Sequence, residues 1–231
     1  FKHPLLTINT NLIGTLDMLD NVKEYSPHSK LFLASSSEIF GLNNQKSIRV
    51  NELTQRNPSN PYGISQSNII DLSRIYRENY DLDISVGILF NHESPVRGET
   101  FVTRKITRAV ARIANGSKEK LYLGNLDAIR DWGYAKEYVE GMWRMLQHET
   151  PDDYVLATNT GYSVKDFLDF SFKTVNLDWE KYVEFDQRYL RPTEVDALIG
   201  DYSKAENVLG WKPKTLSPDL AKIMVLNEME K

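Results

Sequence analysis

The 231-residue sequence contains no cysteine, which excludes disulfides, thiolate-zinc sites and cysteine nucleophiles. Its histidines, His3, His28, His92 and His148, are scattered without metal-ligand spacing, so no metal site is expected. No apolar run approaches the roughly 18 residues that a bilayer span needs, and no signal-peptide pattern opens the chain. A cytoplasmic protein with no membrane partner is the expectation. Excess positive charge is also lacking. With 28 Lys and Arg against 32 Asp and Glu, the net charge of -4 supplies no field for gripping a nucleic-acid backbone, although single arginines remain able to hold one diphosphate. There is no internal repeat and no low-complexity tract. What is present is ordinary for a globular protein, 41% hydrophobic and 26% charged, and long enough for one large domain or two small ones.

Apolar periodicity orders the first part. Leu12, Leu16, Leu19 and Val22 recur at helical spacing between Asn11 and Tyr25, with Gly14 allowing a close neighbour. Lys30 to Ala34 reads as a strand that ends abruptly at Ser35-Ser36-Ser37-Glu38, and loop residues follow to Pro61. Tyr62 to Tyr80 predicts a second amphipathic helix, and Ile84 to Phe90 a buried strand. Strands alternating with crossover-length helices imply an α/β fold with a parallel sheet covered on both faces. This is the C-terminal part of a doubly wound, Rossmann-like sheet. The glycine-rich turn and the acidic residue that open such folds are not among these residues, and the chain starts at Phe1 within an element, so on the order of 60 or more preceding residues are expected.

Beyond Gly98 the pattern is less regular. Helices are predicted over Thr103 to Asn115 and Tyr134 to Gln147, short strands at Leu121 to Leu123 and Tyr154 to Leu156, a capped helix start at Ser163, and a short helix within Asp201 to Gly210. The expected organisation is residues 1–98 as the remaining half of a dinucleotide-binding domain. Residues 99–231 would form mainly a smaller α/β substrate-binding lid, with some elements returning to the sheet.

The densest chemistry is Asn91-His92-Glu93-Ser94-Pro95-Val96-Arg97-Gly98 with Phe101-Val102-Thr103-Arg104-Lys105. In open parallel sheets, ligands lie beyond the carboxyl ends of the strands, which is where this segment falls. The plain alternative is a polar loop satisfying itself.

Together with Asn11, Gly14 and Thr15, the serine-rich strand end and a tyrosine opening the next helix, this segment resembles the extended short-chain dehydrogenase/reductases. Leu123 to Asp127, Arg130-Asp131-Trp132-Gly133 and Arg191-Pro192-Thr193-Glu194-Val195-Asp196 sharpen the resemblance to the GDP-mannose 4,6-dehydratase family over nearly the whole chain. It implies a lyase using NADP on GDP-mannose or a related GDP-sugar, assembled as a homodimer or homotetramer. It also implies roles. Ser36, Glu38 and Tyr62 would be catalytic: Tyr62 the base toward the C4 hydroxyl, Ser36 the group that hydrogen-bonds O4, and Glu38 the group that takes the C5 proton and hands one to the departing C6 oxygen. Tyr62, Gln66, His92 and Arg97 would touch the cofactor, and Asn91, Lys105, Arg130, Arg191 and Glu194 the substrate, arginine suiting a diphosphate through its paired donors.

One position departs from the family pattern. Four residues after Tyr62 the family places lysine, and here stands Gln66, which can bond a ribose hydroxyl but brings no cation to a phenolate. If that cation lowers a phenol by about 2 to 3 pH units, its loss removes roughly 3 to 4 kcal/mol, and reduced turnover follows as a hypothesis. Three readings stay open here: a GDP-mannose dehydratase, a dehydratase of another GDP-sugar such as a GDP-heptose, and a degenerate, non-catalytic nucleotide-sugar-binding homologue. Singly, Ser36 to Glu38 could be a solvated strand end, Arg130-Asp131 a surface ion pair, Arg191-Pro192 a rigid turn and His92 structural.

Overall fold

A computed structural model describes residues 3–41, 48–190 and 197–231. The chain begins with α1 (Pro4–Ile8), one π-helical turn (Asn9–Ile13) and α2 (Gly14–Tyr25). The helix foreseen from Asn11 therefore starts earlier, on a proline that suits the first helical position. Gly14 is exposed, and a Cβ there would meet only the Asn9 carbonyl of the same helix at 3.7 Å, so the close neighbour expected at Gly14 is absent among the described residues. Then come β1 (Leu31–Ser36), a 3-10 turn (Ser37–Phe40), β2 (Ile48–Val50), α3 (Pro61–Tyr80) and β3 (Ile84–Leu89). Strand β2 lies in what reads as loop; three residues are too few to show an alternating pattern. Helix α3 starts on the Asn60 cap with Pro61 behind it and stops at Asp81, whose φ of 54° breaks the helical path.

The remaining elements are β4 (Asn91–Glu93), α4 (Val102–Ala114), β5 (Leu121–Leu123), β6 (Ile129–Arg130), β7 (Trp132–Tyr134), α5 (Ala135–Gln147), β8 (Asp153–Leu156), β9 (Tyr162–Ser163), α6 (Val164–Lys173), β10 (Val183–Phe185), β11 (Ala197–Gly200), α7 (Ser203–Leu209) and α8 (Ser217–Met229). Ser163 caps α6 in a reciprocal box with Asp166, as its position foretold.

The first sheet has the order β1-β3-β8, all parallel, with Ser36 beside Leu89 and Leu89 beside Leu156, so the carboxyl ends of three strands open onto the same side. Every residue of β3 is buried, which explains why its run is apolar rather than alternating. Leu33, Ile69, Val86 and Ile88 close the core between this sheet and α3, while Ile106, Val110, Phe167, Phe172, Leu220 and Met224 form a second core among α4, α6 and α8. Each such fully buried side chain contributes about 1.5 to 3 kcal/mol, so both bodies hold firm on either side of the strand ends. Strand β4 follows β3 directly and pairs in parallel with β7, carrying the Asn91 segment across to the second body. No described helix is long and apolar enough to cross a membrane.

Candidate active site

A cleft of about 1010 Å³ opens at these strand ends, at the upper limit of ordinary ligand sites. Its first wall comes from β1 and α3. Ser36 ends the strand, and its hydroxyl accepts the Glu38 backbone N–H at 3.3 Å, capping the 3-10 turn that presents Glu38. That turn lies against the first turn of α3 so closely that a Cβ on Gly63 would sit 2.7 Å from the Glu38 carbonyl oxygen. Asn60 joins the two: its Oδ1 accepts the Gly63 N–H at 2.8 Å, and its Nδ2 donates to Glu38 Oε2 at 3.0 Å.

Tyr62, in the same first turn and 42% exposed, hydrogen-bonds Ser36. Burial pushes its phenol above the usual value and the nearby Glu38 charge adds to this, while the Ser36 hydrogen bond and the Arg97 charge pull the other way. Gln66, one turn further on, does not line the cleft. It is 5% exposed, its backbone carbonyl accepts from Ser35 Oγ at 3.1 Å, and its Oε1 has no partner among the described residues. The side chain that stands in the cation's place is therefore a buried neutral amide with one unmet acceptor.

The second wall is the Asn91 segment. Nδ1 of His92 lies 2.8 Å from the Phe90 carbonyl, which can only accept, so the proton sits on Nδ1 and Nε2 is an acceptor. Burial holds this imidazole below its usual pKa and therefore neutral, and it stacks on Tyr138 with ring centres 5.1 Å apart. Glu93, 2% exposed, is met by Thr103 Oγ1 at 2.5 Å and by Arg97 Nε at 3.2 Å, the latter an ion pair without hydrogen-bond geometry. Burial raises the Glu93 carboxyl, opposed by Arg97 and Thr103. The Arg97 guanidinium also lies 3.6 Å above the centre of the Phe101 ring, so its charge is fixed from two sides at the cleft edge.

The far wall comes from α4 and the strands of the second body. Lys105 donates to the Tyr122 carbonyl at 2.6 Å and sits 3.4 Å over the Tyr189 ring. Arg130 lines the cleft with Nη1 on the Ile129 carbonyl at 2.7 Å. Its neighbour Asp131 takes no part in a simple surface ion pair. It is 1% exposed and accepts from Thr158 N at 2.9 Å, Thr158 Oγ1 at 2.7 Å and Gly200 N at 3.2 Å, while burial pushes its carboxyl up to about 6 against those donors.

Of the residues singled out in the sequence, Ser36, Glu38, Tyr62, Asn91, His92, Arg97, Lys105 and Arg130 all line this one cleft. Arg191 and Glu194 lie outside the described residues. Sequence reasoning passed over Asn60, Glu93 and Tyr189 as site residues. Asn60 was within reach, because an asparagine directly before a proline that opens a helix is a capping signal. Glu93 stood within the polar segment already singled out, without a role assigned to it, and Tyr189 had no comparable sign.

The chain is similar to known proteins. A family model described as GDP-mannose 4,6 dehydratase matches residues 1–224. The chain is 50% identical over 234 residues to GDP-mannose 4,6 dehydratase 2 of Arabidopsis thaliana, covering 100% of this chain and 62% of that protein. It is 45% identical over 248 residues to GDP-mannose 4,6-dehydratase of Sinorhizobium fredii, covering 99% and 70%. With GDP-mannose 4,6 dehydratase 1 of Arabidopsis covered to 64%, the chain spans somewhat over three fifths of these plant relatives. Among solved structures, RMD from Pseudomonas aeruginosa complexed with NADPH superimposes with a TM-score of 0.90 at 20% identity, covering 100% of this chain and 76% of that one. The dTDP-glucose 4,6-dehydratase of Bacillus anthracis in complex with NAD gives 0.85 at 22%, covering 96% and 68%. These two likenesses establish the α/β fold. From the family match along residues 1–224 and the identities of 45% and 50%, the chain belongs to the GDP-mannose 4,6 dehydratase family.

Proposed function

We propose that this chain carries the catalytic side chains and substrate wall of an NADP-dependent lyase that dehydrates GDP-mannose to GDP-4-keto-6-deoxymannose. The observation that carries the reading is the meeting of Ser36, Glu38 and Tyr62 at one corner of one cleft. Tyr62 takes the proton of the C4 hydroxyl, with Ser36 holding that oxygen. Glu38 then removes the C5 proton and delivers it to the C6 oxygen, which leaves as water, and a proton from solvent returns to C5 as C6 is reduced, balancing the one Tyr62 took from the C4 hydroxyl. A bound nicotinamide would accept hydride from C4 and return it to C6. Two residues of the cleft fit that group: His92 offers an acceptor Nε2 and Arg97 a fixed positive charge, while the unmet Oε1 of Gln66 is buried and does not line the cleft. Asn91, Lys105 and Arg130 would hold the nucleotide sugar from the opposite wall. Under this proposal residues 1–98 belong to the dinucleotide-binding half and 99–231 mainly to the substrate side, with β8 back in the first sheet.

The test is the full chain, supplied with NADP and a panel of GDP-sugars including GDP-mannose and a GDP-heptose, with products identified by mass and NMR. Formation of the 4-keto-6-deoxy sugar from GDP-mannose is expected. Binding of GDP-mannose with no conversion, even in the Gln66→Lys variant, would replace the reading with a non-catalytic nucleotide-sugar-binding homologue. Leu5, Leu6, Ile64 and Ile75 on α1 and α3 are exposed apolar side chains that support assembly through these helices as a homodimer or homotetramer. A monomer in sedimentation would remove that part.

A further inference from the structure

Building on the dehydratase reading, we infer that Asn60 is a positioning residue for the elimination step, holding the Glu38 carboxylate by one oxygen so that the other is free to carry the proton. Two independent jobs meet in this one side chain. Its Oδ1 caps α3 through the Gly63 N–H at 2.8 Å, and its Nδ2 donates to Glu38 Oε2 at 3.0 Å. The cap fixes Asn60, so the amide that reaches Glu38 is anchored to the helix that also carries Tyr62. A carboxylate on a short turn has two equivalent oxygens and free rotation of its terminal group. A fixed donor on Oε2 removes the equivalence: Oε2 is engaged, and Oε1, without a hydrogen bond to any described residue, is the oxygen left to face the sugar. A group that must first take the C5 proton and then give it to the C6 oxygen benefits from keeping one oxygen in one place through both transfers.

The two jobs can be separated, because Asn, Asp and Ser cap helices about equally well. Serine keeps the cap and is too short to supply the amide donor. Aspartate keeps the cap and turns a carboxylate toward Glu38. In the full chain with NADP and GDP-mannose, Asn60→Ser is expected to slow C5 exchange with solvent deuterium about tenfold and Asn60→Asp about a hundredfold, from the loss of one hydrogen bond to a charged group and the added like charge. C4 oxidation, followed by nicotinamide absorbance in a single turnover, is expected to stay at the wild-type rate in Asn60→Ser, which adds no charge near Tyr62, and its melting temperature to stay unchanged. Wild-type exchange rates in both variants would overturn the inference, as would an equal fall in oxidation and exchange in Asn60→Ser accompanied by a lower melting temperature. A wild-type chain that neither oxidises nor dehydrates GDP-mannose would refute the dehydratase reading instead. The contact itself is then read without turnover. The carboxylate stretch of Glu38, isolated by infrared difference against Glu38→Gln, must shift in Asn60→Ser, and an unshifted band would end the assignment.

Discussion

On the β1 wall of the cleft, Glu38 is half-buried and its side chain takes one hydrogen bond among the described residues, from Asn60 at 3.0 Å; Asp131, on another wall, is 1% exposed and takes Thr158 N, Thr158 Oγ1 and Gly200 N. The two acids line the same space and differ in how many of their lone pairs the fold has already used. A carboxylate with most of its acceptors filled is an architectural tie, and here it joins the link between β6 and β7 to β11 and the segment after β8. One held at a single oxygen keeps the capacity to exchange a proton with a ligand. Replacing each acid in turn separates the roles. Glu38→Gln keeps size and hydrogen-bonding capacity, so stability should move by no more than about 0.5 kcal/mol while dehydration of GDP-mannose falls about a thousandfold. Retained dehydration in the Glu38→Gln variant would erase the distinction between the two walls.

Asp131 should show the converse, a large effect on stability. Its carboxyl is raised from 3.8 to about 6, so the folded state prefers it protonated. A group with a raised folded-state value contributes stability fully below its unfolded value and loses it as pH climbs through the folded one. The unfolding free energy of the wild type relative to Asp131→Asn, which is neutral throughout, should therefore increase by about 2 kcal/mol as pH is lowered from about 6 to 3.8. Urea titrations across that window would check it, and the opposite slope would show that the Thr158 and Gly200 donors outweigh burial.

The contrast also shows what a sequence can and cannot reveal. β1, α3 and β3 were legible because burial on one or both sides writes a periodic or continuous apolar pattern, and α6 because Ser163 and Asp166 stand at capping distance. The strand pairs β4 with β7 and β2 with β11 were not, since three or four residues stabilised by partners far along the chain leave no local period. The same holds within the site. Ser36, Glu38 and Tyr62 were found through motif resemblance. The Glu38 partner Asn60 and the Asp131 partners Thr158 and Gly200 are set by tertiary contacts 22, 27 and 69 residues away in sequence.

Gln66 carries the comparison to the base. Tyr62 is raised above the usual phenol value chiefly by burial, and the residue one turn on is neutral. Gln66→Lys should lower that phenol and speed C4 oxidation near neutral pH about a hundredfold, the equivalent of about 2 pH units, moving the rising limb of the rate profile, set by deprotonation of Tyr62, to lower pH. The substitution buries an ammonium, so an unchanged rate has physical meaning only if melting shows the variant folded. An unchanged rate in a folded variant would mean that Arg97 and Ser36 already suffice.

The smallest expected effect tests the substrate wall. Lys105 is held between the Tyr122 carbonyl at 2.6 Å and the Tyr189 ring at 3.4 Å, contacts that tie its ammonium to the α4 and β5 side of the cleft rather than to the corner where Ser36, Glu38 and Tyr62 meet. If it serves the nucleotide, it binds ground state and transition state alike, because the diphosphate does not change charge when C4, C5 and C6 react. Lys105→Met preserves the aliphatic stem and removes the charge. KM for GDP-mannose should then rise about tenfold with kcat unchanged, the pattern of lost uniform binding. A fall in kcat at constant KM would instead draw Lys105 into the chemistry, and the division of this cleft into a proton-moving wall and a holding wall would have to be redrawn.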